Sequence, residues 1–268
     1  LVIDDNSRNR EVAENYFVSG GHEVTFAVDF TSALAHDFCT FDLIISDLNF
    51  PEEVGTGRRD LGIEATYDLI LAFQLKVRER TDFTRDEWAE LLRVAQEIRS
   101  IYDVLPANSQ AKQVVEGTEE YSSGPYKGGI VGFLMDAMDF DLYMGWLGLS
   151  EAKQAEYHGV IDMLRERFGS STNHKIRSAT LSLTDPDEAY QPLGWMIYAE
   201  AKKQGVPCLM ISSDTHSGAG AGFQDMVFFA LQDESVLLGR DRMNSGAKFV
   251  VGNKTKTQTW KDATSFLL

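Results

Sequence analysis

Two apolar runs in this chain each hand an aspartate to their C-terminal end: Leu1-Val2-Ile3-Asp4-Asp5, and further along Phe41-Asp42-Leu43-Ile44-Ile45-Ser46-Asp47. A short run rich in Val, Ile and Leu reads as a strand buried on both faces, the kind found in parallel sheets. In open α/β sheets, ligands bind in the crevice beyond the carboxyl ends of the strands. Neighbouring strands ending in Asp4-Asp5 and Asp47 therefore crowd three carboxylates into one crevice. That crowding costs energy unless a hard cation offsets it, and an all-oxygen site suits Mg²⁺. The plain alternative is a set of solvated strand-end carboxylates.

These residues resemble the receiver domain of two-component response regulators. The match is an acidic pair after the first strand (Asp4, Asp5) and a phosphoacceptor after the third (Asp47, in Ser-Asp-Leu-Asn-Phe-Pro). Two more marks follow in the family's order. Gly205-Val206-Pro207-Cys208-Leu209-Met210-Ile211-Ser212-Ser213 looks like the fourth strand, ending in a hydroxyl residue. Gly246-Ala247-Lys248-Phe249-Val250-Val251-Gly252-Asn253-Lys254 looks like the fifth, with its lysine. The fold this implies is a flavodoxin-like, doubly wound, five-stranded parallel α/β sheet.

A receiver needs about 120 residues, an ordinary domain size, whereas this chain has 268. The surplus can be located. Asn6 to Gly20 reads as a helix capped by Asn6 or Ser7 and stopped at Gly20-Gly21. His22–Ala27 reads as a strand and Thr31–Phe38 as a second helix. The receiver pattern resumes at Gln191-Pro192-Leu193-Gly194, which opens a helix running to Gly205. Residues 1–51 and 191–268 are thus expected to form a discontinuous receiver, with residues 52–190 inserted between its third strand and third helix. A structureless loop of that size is not expected inside a compact domain. Helical spacing appears at Tyr67–Lys76, Thr84–Asp103, Ile130–Tyr143 and Ser150–Phe168, with a capping box at Thr84-Arg85-Asp86-Glu87. An all-helical subdomain with its own core is expected, and its Phe and Met residues read as packing.

Composition bounds the partners. The net charge of −16 argues against direct nucleic-acid binding, which needs a basic footprint. No run of 18 apolar residues is present, so no membrane span is expected. The two cysteines, Cys39 and Cys208, have no metal-ligand spacing and do not make a disulfide framework. With no visible signal peptide, a cytoplasmic protein with reduced thiols is expected. Gly218-Ala219-Gly220-Ala221-Gly222 lacks the Lys-Ser/Thr of a P-loop. Among the histidines, His216 lies four residues past Ser212; it reads as a polar loop residue, with orientation of a water near the phosphoryl group as the functional alternative.

The resemblance implies a mechanism. Asp47 attacks the phosphorus of a phosphohistidine on a histidine kinase or phosphotransfer protein and becomes an acyl phosphate. Asp4, Asp5, Asp47 and the backbone carbonyl of Asn49 are the implied Mg²⁺ ligands, the cation offsetting the repulsion between carboxylate and phosphoryl group. Lys254 pairs with a phosphoryl oxygen, with Lys248 and Lys256 as nearby alternatives. Ser212 donates its hydroxyl to the phosphate, and the output is protein–protein contact, through the insertion or elsewhere. Two departures stand out: Thr255 follows Lys254 where receivers usually carry proline, and Val251 stands where an aromatic switch residue is expected. The loop Val251–Lys254 is therefore expected to follow its own path. Two other readings compete. One is a receiver-like module that binds a partner without phosphotransfer. The other is an aspartate-nucleophile phosphatase of the haloacid dehalogenase type, which wants a second aspartate where this chain has Asn49.

Overall fold

A computed structural model describes residues 1–76, 84–117, 145, 147–167, 183, 191–213, 221–231, 235–237 and 249–265. The expected helix Ile130–Tyr143 lies outside the described residues, as do His174, His216 and Lys248. By contact, the chain forms two compact units. One comprises residues 1–78, 187–216 and 223–268; the other comprises 79–186 and 217–222.

The first unit is an α/β structure around a parallel sheet. Its strands are β1 (Val2–Ile3), β2 (Phe26–Ala27), β3 (Ile44–Asp47), β4 (Cys208–Ser212), β5 (Ser235–Leu237) and β6 (Phe249–Val251). All pair in parallel, in the order β2-β1-β3-β4-β6-β5. Five of these are the strands expected from sequence. The three-residue β5 extends the sheet by one strand at the β6 edge.

Register decides where the chemistry falls. Ile3 aligns with Ser46, Asp47 with Ile211, and Ser212 with Val251. Every strand therefore ends at the same edge, and the residues that follow (Asp4, Asp5, Leu48, Ser213, Gly252) leave the sheet there. One face is covered by α1 (Ser7–Ser19) and, at the far end of the chain, by the helix Thr257–Thr264. Val2, Ile45, Leu209, Ile211 and Val250 of the sheet pack there against Ala13, Phe17, Trp260 and Ala263. Each large side chain buried in such a core contributes about 1.5–3 kcal/mol, the scale needed to hold charged groups out of water at the sheet edge.

Local signals account for the element ends. The Asn6 side chain accepts from the Arg8 amide and caps α1, and Gly20 ends it, both as expected. The expected Thr31–Phe38 helix is divided. Asp29 and Ser32 form a capping box that starts α2 (Phe30–Leu34), and Asp37 caps a separate 3₁₀ turn, Phe38–Thr40. After β3 the chain leaves the sheet and returns at one point, because the Phe50 amide donates to the Gln191 carbonyl at 3.2 Å. Helix α3 (Asp60–Lys76), expected in the helical segment 52–190, belongs instead to the sheet unit and packs on Leu193–Gln204, the helix that precedes β4. Its first turn is anchored by Glu52, a buried carboxylate that accepts from the Leu61 amide at 3.1 Å.

In the second unit the described elements are the helices α4 (Arg85–Val104), α5 (Gln110–Gly117) and α6 (Glu151–Arg167). The expected Thr84–Glu87 capping box forms, and Trp88, Leu91, Leu92, Ala95, Ile98 and Tyr102 make a buried stripe. Arg93 on α4 pairs with Glu90 and Glu97 and reaches Glu156 on α6 at 2.5 Å; Lys153 pairs with Glu97 and Glu156. The Tyr157 hydroxyl donates to Glu97. With that hydrogen bond and the neighbouring cations, Glu97 is held well below the usual carboxylate range, at about 2. The remaining described helices are α7 (Leu193–Gln204), α8 (Ala221–Leu231) and α9 (Thr257–Thr264). Among the described residues, no helix is long and apolar enough to cross a membrane.

Candidate functional site

Asp4 leaves β1 with 1% of its surface exposed. A carboxylate that deep is tolerated only when its oxygens are bonded. The Asn6 amide donates to Asp4 Oδ1 at 2.9 Å, and Asn9 Nδ2 donates to both carboxylate oxygens at 3.2 and 3.3 Å. Arg10 donates to the Asp4 carbonyl at 2.6 Å. The start of α1 thus folds back over the end of β1, and its polar residues hold the acid in place.

Asp47 ends β3 with 11% of its side chain exposed. One carboxylate oxygen accepts from the Leu48 amide at 2.7 Å, and the other bonds the Lys254 ammonium. Lys254 also pairs with Asp4 Oδ2 at 2.8 Å and is itself 2% exposed. Lys254 therefore joins acids at the ends of two different strands. Thr255 does not displace it: Lys254 carries the contact, while Lys256 is exposed. Carboxylate oxygens of Asp4, Asp5 and Asp47 lie within 4.8 Å of one another.

The Lys254 ammonium thus contacts two of the three carboxylates, and the electrostatics follow. Burial raises the Asp47 carboxyl above its ordinary range; Lys254 pulls it back, and Asp4 and Asp5 add to the rise. Burial works against the Lys254 ammonium, but Asp47 and Asp4 overcome it and hold the lysine charged, above the ordinary lysine range. Asn49, two residues beyond Asp47, has a buried side-chain oxygen, Oδ1, with no hydrogen-bond partner. The three carboxylates form an oxygen-only donor set, which fits a hard divalent cation.

Ser212 is 2% exposed at the end of β4. Its Oγ accepts from Gln224 Nε2 at 2.6 Å, and the same nitrogen donates to the Ser213 carbonyl at 3.1 Å. Helix α7 crosses the end of β3 at Gly194, whose amide donates to the Leu48 carbonyl at 3.0 Å. A Cβ at this position would stand 2.1 Å from the Asp47 carbonyl oxygen and 2.8 Å from Leu48 Cα. Only glycine allows that approach.

Asp4, Asp5, Asp47 and Lys254 are brought together; Ser212 ends β4, the neighbour of β3, and Asn49 follows β3 by two residues. Sequence reasoning missed Asn9, Gln224 and Trp260, whose indole N–H donates to the Lys254 carbonyl. Asn9 had a readable signal, since it lies in the helix turn that directly follows the acidic pair. Gln224 had another, as a lone amide in the apolar helix segment Phe223–Leu231. In comparisons with known proteins, no family, no curated protein and no solved structure matches this chain.

Proposed function

We propose that this protein is a phosphoacceptor receiver of the two-component type, with a flavodoxin-like sheet, and that Asp47 takes the phosphoryl group. The observation that carries the reading is the Lys254 ammonium clasped by Asp47 and Asp4 at the C-terminal edge of a parallel sheet. Three segments distant in sequence supply an acid pair, a further acid and a cation to one place, in the order that a receiver requires.

In the proposed reaction, a carboxylate oxygen of Asp47 attacks the phosphorus of a phosphohistidine carried by a histidine kinase or phosphotransfer protein. An O–P bond forms as the P–N bond breaks, and the electron pair leaves with the imidazole nitrogen. Asn9 and Lys254 hold Asp4 in place beside the nucleophile. Lys254 exchanges its Asp47 oxygen for a phosphoryl oxygen, acting as a point charge. Ser212 donates its hydroxyl hydrogen to another phosphoryl oxygen. A divalent cation, taken here as Mg²⁺, held by Asp4, Asp5 and Asp47 with an oxygen of Asn49, would supply the charge that lets two anions approach. Output is through protein contacts in the cytoplasm, with the helices of residues 79–186 as an inserted partner-binding subdomain.

The test is labelling with acetyl phosphate. With Mg²⁺ the intact mass should rise by one phosphoryl group, and with chelator or in Asp47→Asn it should not. Equal labelling of Asp47→Asn would remove Asp47 as the nucleophile.

A further inference from the structure

Gln224 sits on α8 with 6% of its surface exposed, among the buried side chains of Phe223, Met226, Val227 and Ala230. An amide in such a place costs free energy unless both its ends are bonded. Only one end is. Nε2 donates to Ser212 Oγ at 2.6 Å and to the Ser213 carbonyl at 3.1 Å, while Oε1 is buried without a partner. A methionine would fill the same volume without that penalty. What the glutamine adds is the pair of donated bonds to the end of β4.

The geometry points to Gln224 as the positioning residue of Ser212, and as the link that carries Ser212 movement into α8; this rests on the receiver reading above. By donating to Ser212 Oγ, the amide makes that oxygen an acceptor and leaves its hydrogen for an anion on Asp47. By donating to the Ser213 carbonyl, it also fixes the backbone that sets where Ser212 points. Val251, on the strand beside Ser212, is 3% exposed and has no ring to turn, so the aromatic route to the sheet edge is absent at that position. When Ser212 shifts toward a phosphoryl oxygen, Gln224 follows its acceptor. The amide, already with one unpaired end, cannot stay as it is, and the first turns of α8 must move with it.

The experiment is a beryllofluoride titration of the full chain with Mg²⁺, read by fluorine NMR, on four proteins: wild type, Gln224→Met, Ser212→Ala and the double variant. Methionine keeps volume and helix propensity, so folding is preserved. Gln224→Met is expected to weaken binding about tenfold, the size of one hydrogen bond to a charged group. Ser212→Ala should do the same, and the double variant should lose no more than either single one, because Gln224 acts through Ser212. Losses that multiply, or a Gln224→Met protein that binds like wild type, would overturn the inference and leave the receiver reading in place. A wild type that binds no beryllofluoride would sink the receiver reading itself, and this inference with it.

Discussion

The indole nitrogen of Trp260 donates to the backbone carbonyl of Lys254 at 2.7 Å in a fully buried contact. Trp260 is 1% exposed and packs edge-on against Phe17 of α1. The lysine that clasps Asp4 and Asp47 is therefore anchored twice, by its ammonium at the sheet edge and by its carbonyl under α9. Asn253 shapes the next step of the chain, accepting from both the amide and the hydroxyl of Thr255. Where a receiver would carry proline after the lysine, this chain fixes the backbone with a tryptophan and an Asx turn.

Trp260→Phe keeps a ring in the core but leaves the Lys254 carbonyl without its donor. The expected cost is about 1–3 kcal/mol in urea unfolding, with slower labelling of Asp47 by acetyl phosphate. Labelling at the wild-type rate in a destabilised variant would show that the ammonium contacts alone hold the lysine.

The pH dependence has a definite sign. The folded-state Asp47 carboxyl is raised, to about 7, chiefly by burial. At low pH both folded and unfolded chains hold the proton. As pH climbs from the ordinary carboxylate range toward 7, the unfolded chain releases it first, so stability falls. In chelator, the wild-type Tm should therefore drop from pH 5 to pH 7.5 more than that of Asp47→Asn. Mg²⁺ should raise the wild-type Tm at pH 7.5 and lose that effect toward pH 5, where protons compete for the carboxylates. Parallel curves for the two proteins would mean that Asp47 is not the group that titrates.

Gly194→Ala puts a methyl group against the Asp47 carbonyl, and backbone cannot yield as a side-chain tip can. Overpacking of this kind costs about 1–3 kcal/mol, and here it moves the nucleophile's own peptide. Both stability and labelling should fall. Gly159→Ala, on the exposed side of α6 with open space around it, should instead gain about 0.5–1 kcal/mol. Equal behaviour of the two variants would contradict the close approach of α7 to β3.

The strand-end acids were legible because apolar runs end abruptly in charge, and parallel register puts all such ends at one edge. Lys254 was readable only through a resemblance: Lys256 is two residues away, and burial separates the two residues while spacing does not. The edge strand β5 left no trace, since Ser-Val-Leu is too short to show a period. Strand β2 shrank from His22–Ala27 to Phe26–Ala27, as an edge position needs few pairings. The α2 region broke in two because Asp37 offered its carboxylate to the Cys39 amide, a local bond that competes with helix. Asn9, Gln224 and Trp260 escaped notice for one reason. Each acts through a hydrogen bond from a helix to a residue outside it, five residues away at Asp4, twelve at Ser212 and six at Lys254, and no helical or strand period displays such a bond.

The most direct measurement fixes the atom that carries the phosphoryl group. Protein incubated with acetyl phosphate and Mg²⁺ is treated with borohydride, which reduces an acyl phosphate to an alcohol, and its peptides are then sequenced by mass spectrometry. Homoserine at position 47, absent when chelator is present during labelling, is the result that this account predicts. An intact aspartate at position 47 in protein that has gained a phosphoryl group elsewhere would contradict it.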